Sequence, residues 1–196
     1  MNTADRVRPL AAGAGLRALL RCLFATLRLL SAGRVHLPTH NVGRTICFAD
    51  GTTGRVYRET ELEVDTVTEP TTLVVAFRLR WIGSNAFAHR LFRVESLLNT
   101  PLFVGFPGFV SKLWMAADEA GRYRGVYEWD DADLAIAYVR ALWWPLALVS
   151  ERSSICCHVV PDAHRDEVIA TMEPDPDDSC WWRPIRNGRT VCEESQ

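Results

Sequence analysis

Apolar and polar positions recur along this chain with two different periods. Across residues 10–30, Leu16, Leu19, Leu20, Leu23, Leu27 and Leu30 fall on one stripe of a helical projection, and Arg17, Arg21 and Arg28 on another. That spacing predicts an amphipathic helix with a basic edge. The stretch is long enough to cross a bilayer, but each arginine costs about 2.5–3.5 kcal/mol at a membrane centre, so spanning is not expected. The same arginines interrupt the apolar core that a signal peptide requires. Two placements stay open for the helix. Its Leu stripe packs on the domain or on a partner subunit, or it makes a peripheral contact with an anionic membrane surface through residues 10–30.

Beyond a linker at residues 31–43, the period shortens to two. Residues 44–49 and 55–60 flank Asp50-Gly51-Thr52-Thr53-Gly54 and read as a β-hairpin. Residues 72–82 are β-branched and aromatic, a strand. Phe87, Leu91, Val94 and Leu98 recur at helical spacing before Pro101. Two strands, 109–117 and 122–129, surround the turn Asp118-Glu119-Ala120-Gly121. Asp130, Asp131 and Asp133 suit the positive end of a helix, which Pro145 is expected to break or kink. Residues 154–160 form a last strand. The order over 72–160 is β-α-β-β-α-β, so the predicted class is α+β with a ferredoxin-like arrangement. The organisation is a helix and linker (1–43), a β-hairpin extension (44–70), the ferredoxin-like α/β-barrel domain (71–169) and a flexible acidic tail with Trp181-Trp182 (170–196). Two helices cover one face of such a sheet. The other face is left bare, which predicts a homodimer. The helix at 130–144 is apolar on two sides, and the Leu stripe of the first helix is the nearest segment to cover its second side.

Composition narrows the function classes. With 48% hydrophobic and 23% charged residues over 196 positions, the chain is neither disordered nor collagen-like. A net charge of -2 offers no general basic field for nucleic acid, which is not expected as a partner. The basic residues comprise 21 Arg and a single lysine, Lys112. Six cysteines lack any C-x-x-C spacing, so neither a zinc ribbon nor a redox pair is expected, and no disulfide framework is legible. This reads as a reducing, cytoplasmic compartment. Pro38 keeps His36 and His40 off a common helical face, so no metal site is expected there. Asp162, His164, Asp166 and Glu167 read as a solvated polar loop. Gly13-Ala14-Gly15-Leu16-Arg17-Ala18 resembles a dinucleotide loop but has no preceding strand and no acid about 20 residues on. No cofactor is expected.

Phe106-Pro107-Gly108-Phe109, Lys112-x-Trp114 and Gly125-Val126-Tyr127-x-Trp129 together resemble the dimeric α/β-barrel superfamily, and most of all its mono-oxygenase-like branch. The resemblance covers about 90 residues and departs from the usual Gly-Gly pair at Arg124-Gly125. It implies a dimer with facing sheets and a small-molecule pocket between sheet and helices in each subunit. The activity it implies is cofactor-independent mono-oxygenation of an aromatic or anionic substrate. It carries over no fixed catalytic set.

Strand alternation supplies the candidate site. Lys112 and Trp114 share a face, Arg124 and Glu128 share one opposite Tyr127 and Trp129, and Cys156 shares one with His158. If the polar sets share one sheet face, that face holds Arg78, Arg80, Lys112, Arg124 and Glu128. Two readings are open: an ion-pair network, or a site for an anionic or phenolate ligand. In the second, Arg78, Lys112, Trp114, Trp129 and Glu128 bind the substrate, while His158 and Tyr127 serve as acid or base. A non-catalytic interaction or membrane-surface module using the basic helix is the alternative function.

Overall fold

The structure is a computed structural model that describes residues 8–80, 102–171 and 180–185. Its elements are α1 (Ala12–Ser31), β1 (Val35–His36), β2 (Thr45–Phe48), β3 (Thr53–Leu62), β4 (Thr71–Arg78), β5 (Phe109–Met115) and β6 (Arg122–Trp129), followed by α2 (Ala132–Val149), β7 (Cys156–Val160), α3 (Arg165–Thr171) and β8 (Pro184–Ile185). The helix expected around residues 87–98 lies outside the described residues.

The fold is α+β, built on one antiparallel sheet in the order β7-β4-β6-β5-β3-β2-β8, with β1 added to β3. The hairpin β2–β3 is therefore not a separate extension. It lengthens the sheet, because β3 pairs with β5 along Val56–Glu61. The sheet curls into a half-barrel. Strands β5 and β3 separate β6 from β2, yet Asp50 in the β2–β3 turn lies 3.0 Å from Arg122 and 3.1 Å from Arg124 of β6.

Both faces of the sheet are buried. On one, Leu73, Val75, Trp114, Tyr127 and Trp129 meet Tyr138, Val139, Leu142 and Leu146 of α2. On the other, Val74, Leu113, Met115 and Val126 meet Phe48, Val56 and Ile169 of α3, with Trp181 and Trp182 packed against them. The face expected to be bare, the premise for a homodimer, is thus covered by the chain's own C-terminal elements. Cys47 in β2 is disulfide-bonded, against the expectation from cysteine spacing.

Helix α1 docks on α2 with most of its predicted Leu stripe turned away, while Leu29 packs against the main core. Its buried residues are Gly15, Cys22 and Thr26. A Cβ on Gly105 would lie 2.2 Å from the Cys22 carbonyl oxygen, so this glycine lets loop backbone touch helix backbone. Gly15 faces the carbonyl of Ala141, the group whose i+4 amide is missing at Pro145. Small residues allow this close approach, and most of the expected Leu stripe turns outward: Leu16, Leu20, Leu27 and Leu30 are exposed, as is Phe24, whereas Leu19 and Leu23 are half-buried. Pro145 does not break α2, one of the two outcomes expected of it. The helix runs through it to Val149, started by the Asp131 carboxylate, which accepts from the Leu134 amide at 3.0 Å.

One buried cation locks the curl. The Arg124 guanidinium donates to Asp118 at 2.8 Å and to Thr52 Oγ1 at 2.6 Å, and its side chain is almost fully enclosed, as is that of Asp118. Removing one partner of a buried pair strands the other. Asp118→Ala is expected to cost about 3 kcal/mol in urea unfolding, with Asp118→Asn costing less; an unchanged midpoint for Asp118→Ala would remove Arg124 from this role.

Candidate functional site

A cavity of about 310 Å3 lies between the sheet and α2. Its size falls at the small end of ligand pockets. Strand β4 supplies Val75 and Phe77, β5 supplies Lys112 and Trp114, β6 supplies Tyr123 and Tyr127, and α2 supplies Tyr138, Leu142 and Leu146. The register explains the convergence. Residues directly opposite in antiparallel strands share a face, and Lys112 stands opposite Tyr127. Gly125, opposite Trp114, carries no side chain where one would crowd the site: a Cβ there would lie 2.9 Å from the Tyr127 ring and 3.2 Å from Lys112 Cε.

Lys112 is the polar centre of an aromatic cage. Its Nζ lies 3.1 Å from the Trp114 ring centroid, 4.6 Å from that of Tyr127 and 4.7 Å from that of Phe103. Among the described residues no carboxylate forms an ion pair with it. Burial in this apolar shell pushes the ammonium pKa well below its ordinary value, and the nearby Arg58 guanidinium adds to the effect. The Trp114 indole donates to Thr60 Oγ1 at 3.1 Å, which fixes the ring under the amine. Tyr138 and Tyr127 hydroxyls are 3.3 Å apart, and burial raises both of their pKa values, so both stay protonated.

Of the residues picked out from the sequence, Lys112, Trp114 and Tyr127 meet at this cavity. Trp129 shares their face but sits deeper, in the core, with ring centroids 4.9 Å from Tyr138 and 5.7 Å from Phe109. The other candidates belong to the opposite face, so the assumption of one polar face is corrected. Arg78 continues the parity of Val74 and Ala76 on β4, pointing away from Val75 and Phe77. The Glu128 carboxylate accepts from His164 Nδ1 at 2.8 Å, and this bond raises the His164 pKa. His158 stacks on Trp182, with centroids 3.7 Å apart. Neither His158 nor Glu128 can reach the Lys112 cage through the sheet.

Sequence reasoning missed Phe103, Tyr138 and Gly125 as site residues. Phe103 sits in a loop without period, and Tyr138 lies within an apolar helical stripe that reads as core. The opposite face instead holds a structural polar network. Glu59 accepts two bonds from Asn41 and pairs with Arg165 at 2.9 Å, and Arg165 donates to Ser111 at 2.9 Å. His40, Glu59 and Glu61 each place one ligand atom within 4.8 Å of the others. Arg165 already neutralises Glu59, which leaves little net charge there for a cation.

No family model, no curated protein and no solved structure matches this chain.

A buried lysine with no carboxylate partner among the described residues carries a stability cost. Its folded pKa lies below the ordinary 10.5, so the unfolded chain binds the extra proton. The penalty is present at neutral pH and fades as pH rises towards 10.5. Lys112→Met is expected to stabilise the fold by about 1–3 kcal/mol at pH 7, and by less at pH 10, in denaturant titrations. A destabilised variant at pH 7 would mean that the amine has a partner holding it charged.

Proposed function

We propose that this protein binds a small aromatic molecule bearing one carboxylate, phenolate or carbonyl oxygen, with its ring among Trp114, Phe103 and Tyr127 and its oxygen at Lys112. The observation that carries the reading is an amine enclosed by aromatic rings at the wall of a cavity, with no carboxylate paired to it among the described residues. Apolar walls with a few convergent polar groups are what ligand pockets share. The strand order supports the dimeric α/β-barrel likeness: β6 lies between β4 and β5, and β7 lies on the other side of β4, which is the split βαβ pattern. On that likeness the ligand class is the one a cofactor-independent mono-oxygenase would take. Lys112, Tyr127 and Tyr138 then stand nearest the substrate, and the cavity walls named here come from one chain, with or without a homodimer.

Binding of 2-naphthoate followed by calorimetry tests this reading. Lys112→Met is expected to weaken it at least about tenfold, the scale of one lost charge-assisted bond. Arg78→Ala, on the far face, is expected to leave it unchanged. Equal loss in both variants, or no binding by the parent protein, would refute the site.

A second reading, peripheral contact with a membrane, is favoured by a separate observation. The outward face of α1 carries Leu16, Leu20, Leu27, Leu30 and Phe24, the last 70% exposed, with Arg17, Arg21 and Arg28 exposed along one side and no acidic residue in the helix. An apolar face with a basic flank matches an anionic bilayer surface. Co-sedimentation with vesicles containing phosphatidylserine is expected, weakening with salt, and lost in Leu20→Glu/Phe24→Glu. Equal binding to neutral vesicles, or none to anionic ones, would end this reading.

A further inference from the structure

We propose that Lys112 is a nucleophile, which condenses with the carbonyl carbon of an aromatic aldehyde or ketone held in the cavity to form an imine. The inference rests on the ligand-binding reading above and narrows its substrate class to carbonyl compounds.

Three features of the site suit this chemistry. First, imine formation needs an uncharged amine with a free lone pair, and an ammonium cannot attack. Lys112 is enclosed by Phe103, Trp114 and Tyr127, and among the described residues no carboxylate stabilises its cation. Burial and the neighbouring Arg58 guanidinium both favour the neutral form. Second, the amine borders a cavity large enough for one or two fused rings. Gly125 leaves the space beside Lys112 Cε open. Third, proton donors are at hand. Tyr127 and Tyr138 are protonated and hydrogen-bonded to each other, and both border the cavity.

The step balances without any oxidant or metal. The Lys112 lone pair forms the C–N bond as the carbonyl π electrons move to oxygen. That oxygen takes one proton from the tyrosine pair, and the nitrogen gives up a proton to restore it. The carbinolamine then loses its hydroxyl as water, taking up a second proton, while the nitrogen releases its last N–H on forming the C=N bond. Amine and carbonyl become imine and one water.

Lys112 is the only lysine in the chain, so side-chain amine chemistry has a single address. The full-length protein is incubated at pH 7 with 2-naphthaldehyde and sodium cyanoborohydride, and the adduct is located by peptide mass mapping. An exposed lysine is almost wholly protonated at that pH. Reduced adduct is expected on Lys112, forming at least about tenfold faster than on Nα-acetyl-lysine amide in the same solution. Lys112→Arg is expected to leave only the chain-terminal amine labelled. Labelling of the parent protein confined to the chain terminus, or no faster than the free amine, overturns the proposal. Binding of 2-naphthoate, which cannot condense, separates the failures. If naphthoate binds and the aldehyde is not trapped, the nucleophile is wrong and the cavity reading stands. If neither occurs, both fall.

Discussion

A sheet buried on both faces sorts every side chain along its strands into one of two interiors. That two-residue period is the constraint from which the rest of this structure follows. Lys112 falls on the α2 side because it stands opposite Tyr127, and Glu128 falls on the other because it stands opposite Ser111. A shift of one residue in the β5–β6 register would exchange these environments. It would place the unpaired amine among Glu59, Arg165 and Ser111, and empty the aromatic cage. The turn at Asp118 secures the register twice. Its carboxylate accepts from the amides of Ala120 and Arg122 and also receives the Arg124 guanidinium.

Lys112 and Arg124 show how differently the two interiors treat a buried cation. Each belongs to the hairpin β5–β6, and each is nearly inaccessible to solvent. Arg124 has Asp118, Asp50, Thr52 and the Trp181 carbonyl as partners, so its charge is compensated and its role is to hold the curl. Lys112 has aromatic rings, which stabilise a cation weakly compared with carboxylates. Burying a charge without a partner costs several kcal/mol, and a lysine avoids that cost by shedding its proton, which an arginine does not do. A buried arginine must therefore be paired, whereas a buried lysine can be stored as a neutral amine. Such a group adds nothing to folding.

Much of the fold was legible in the sequence because it rests on local period. The strand at Arg122–Trp129 appears with its predicted limits, and the helix starting at Asp131 begins where its carboxylates lie. The site was legible in part. Lys112, Trp114 and Tyr127, grouped in the sequence reading, line one cavity, whereas Arg78, Glu128 and His158, grouped with them, lie on the other face. Alternation gives parity within one strand and is silent on parity between strands, which the pairing register decides. The short elements α3 and β8 were read as loop and tail because a seven-residue helix and a two-residue strand carry too little periodic signal. Helix α3, with Trp181 and Trp182 just before β8, covers the far face, so the expectation of a bare sheet followed from that omission. The disulfide at Cys47 was equally silent, since spacing does not reveal pairing.

The orientation of α1 follows from a competition that helical projection cannot see. An amphipathic helix is expected to bury its largest apolar side chains, because burial of a leucine is worth about 1.5–3 kcal/mol. Here Gly105 and Gly15 let backbones approach until only small residues fit between them, so the contact is made by Gly15, Cys22 and Thr26. Close backbone approach gains dispersion contacts along the seam, but it leaves five large apolar side chains in water. A helix that served only to cover α2 would gain by rotating those leucines inward. The observed rotation keeps the apolar face and its arginine edge outward together, so the cost of exposing that face is recovered only when something covers it.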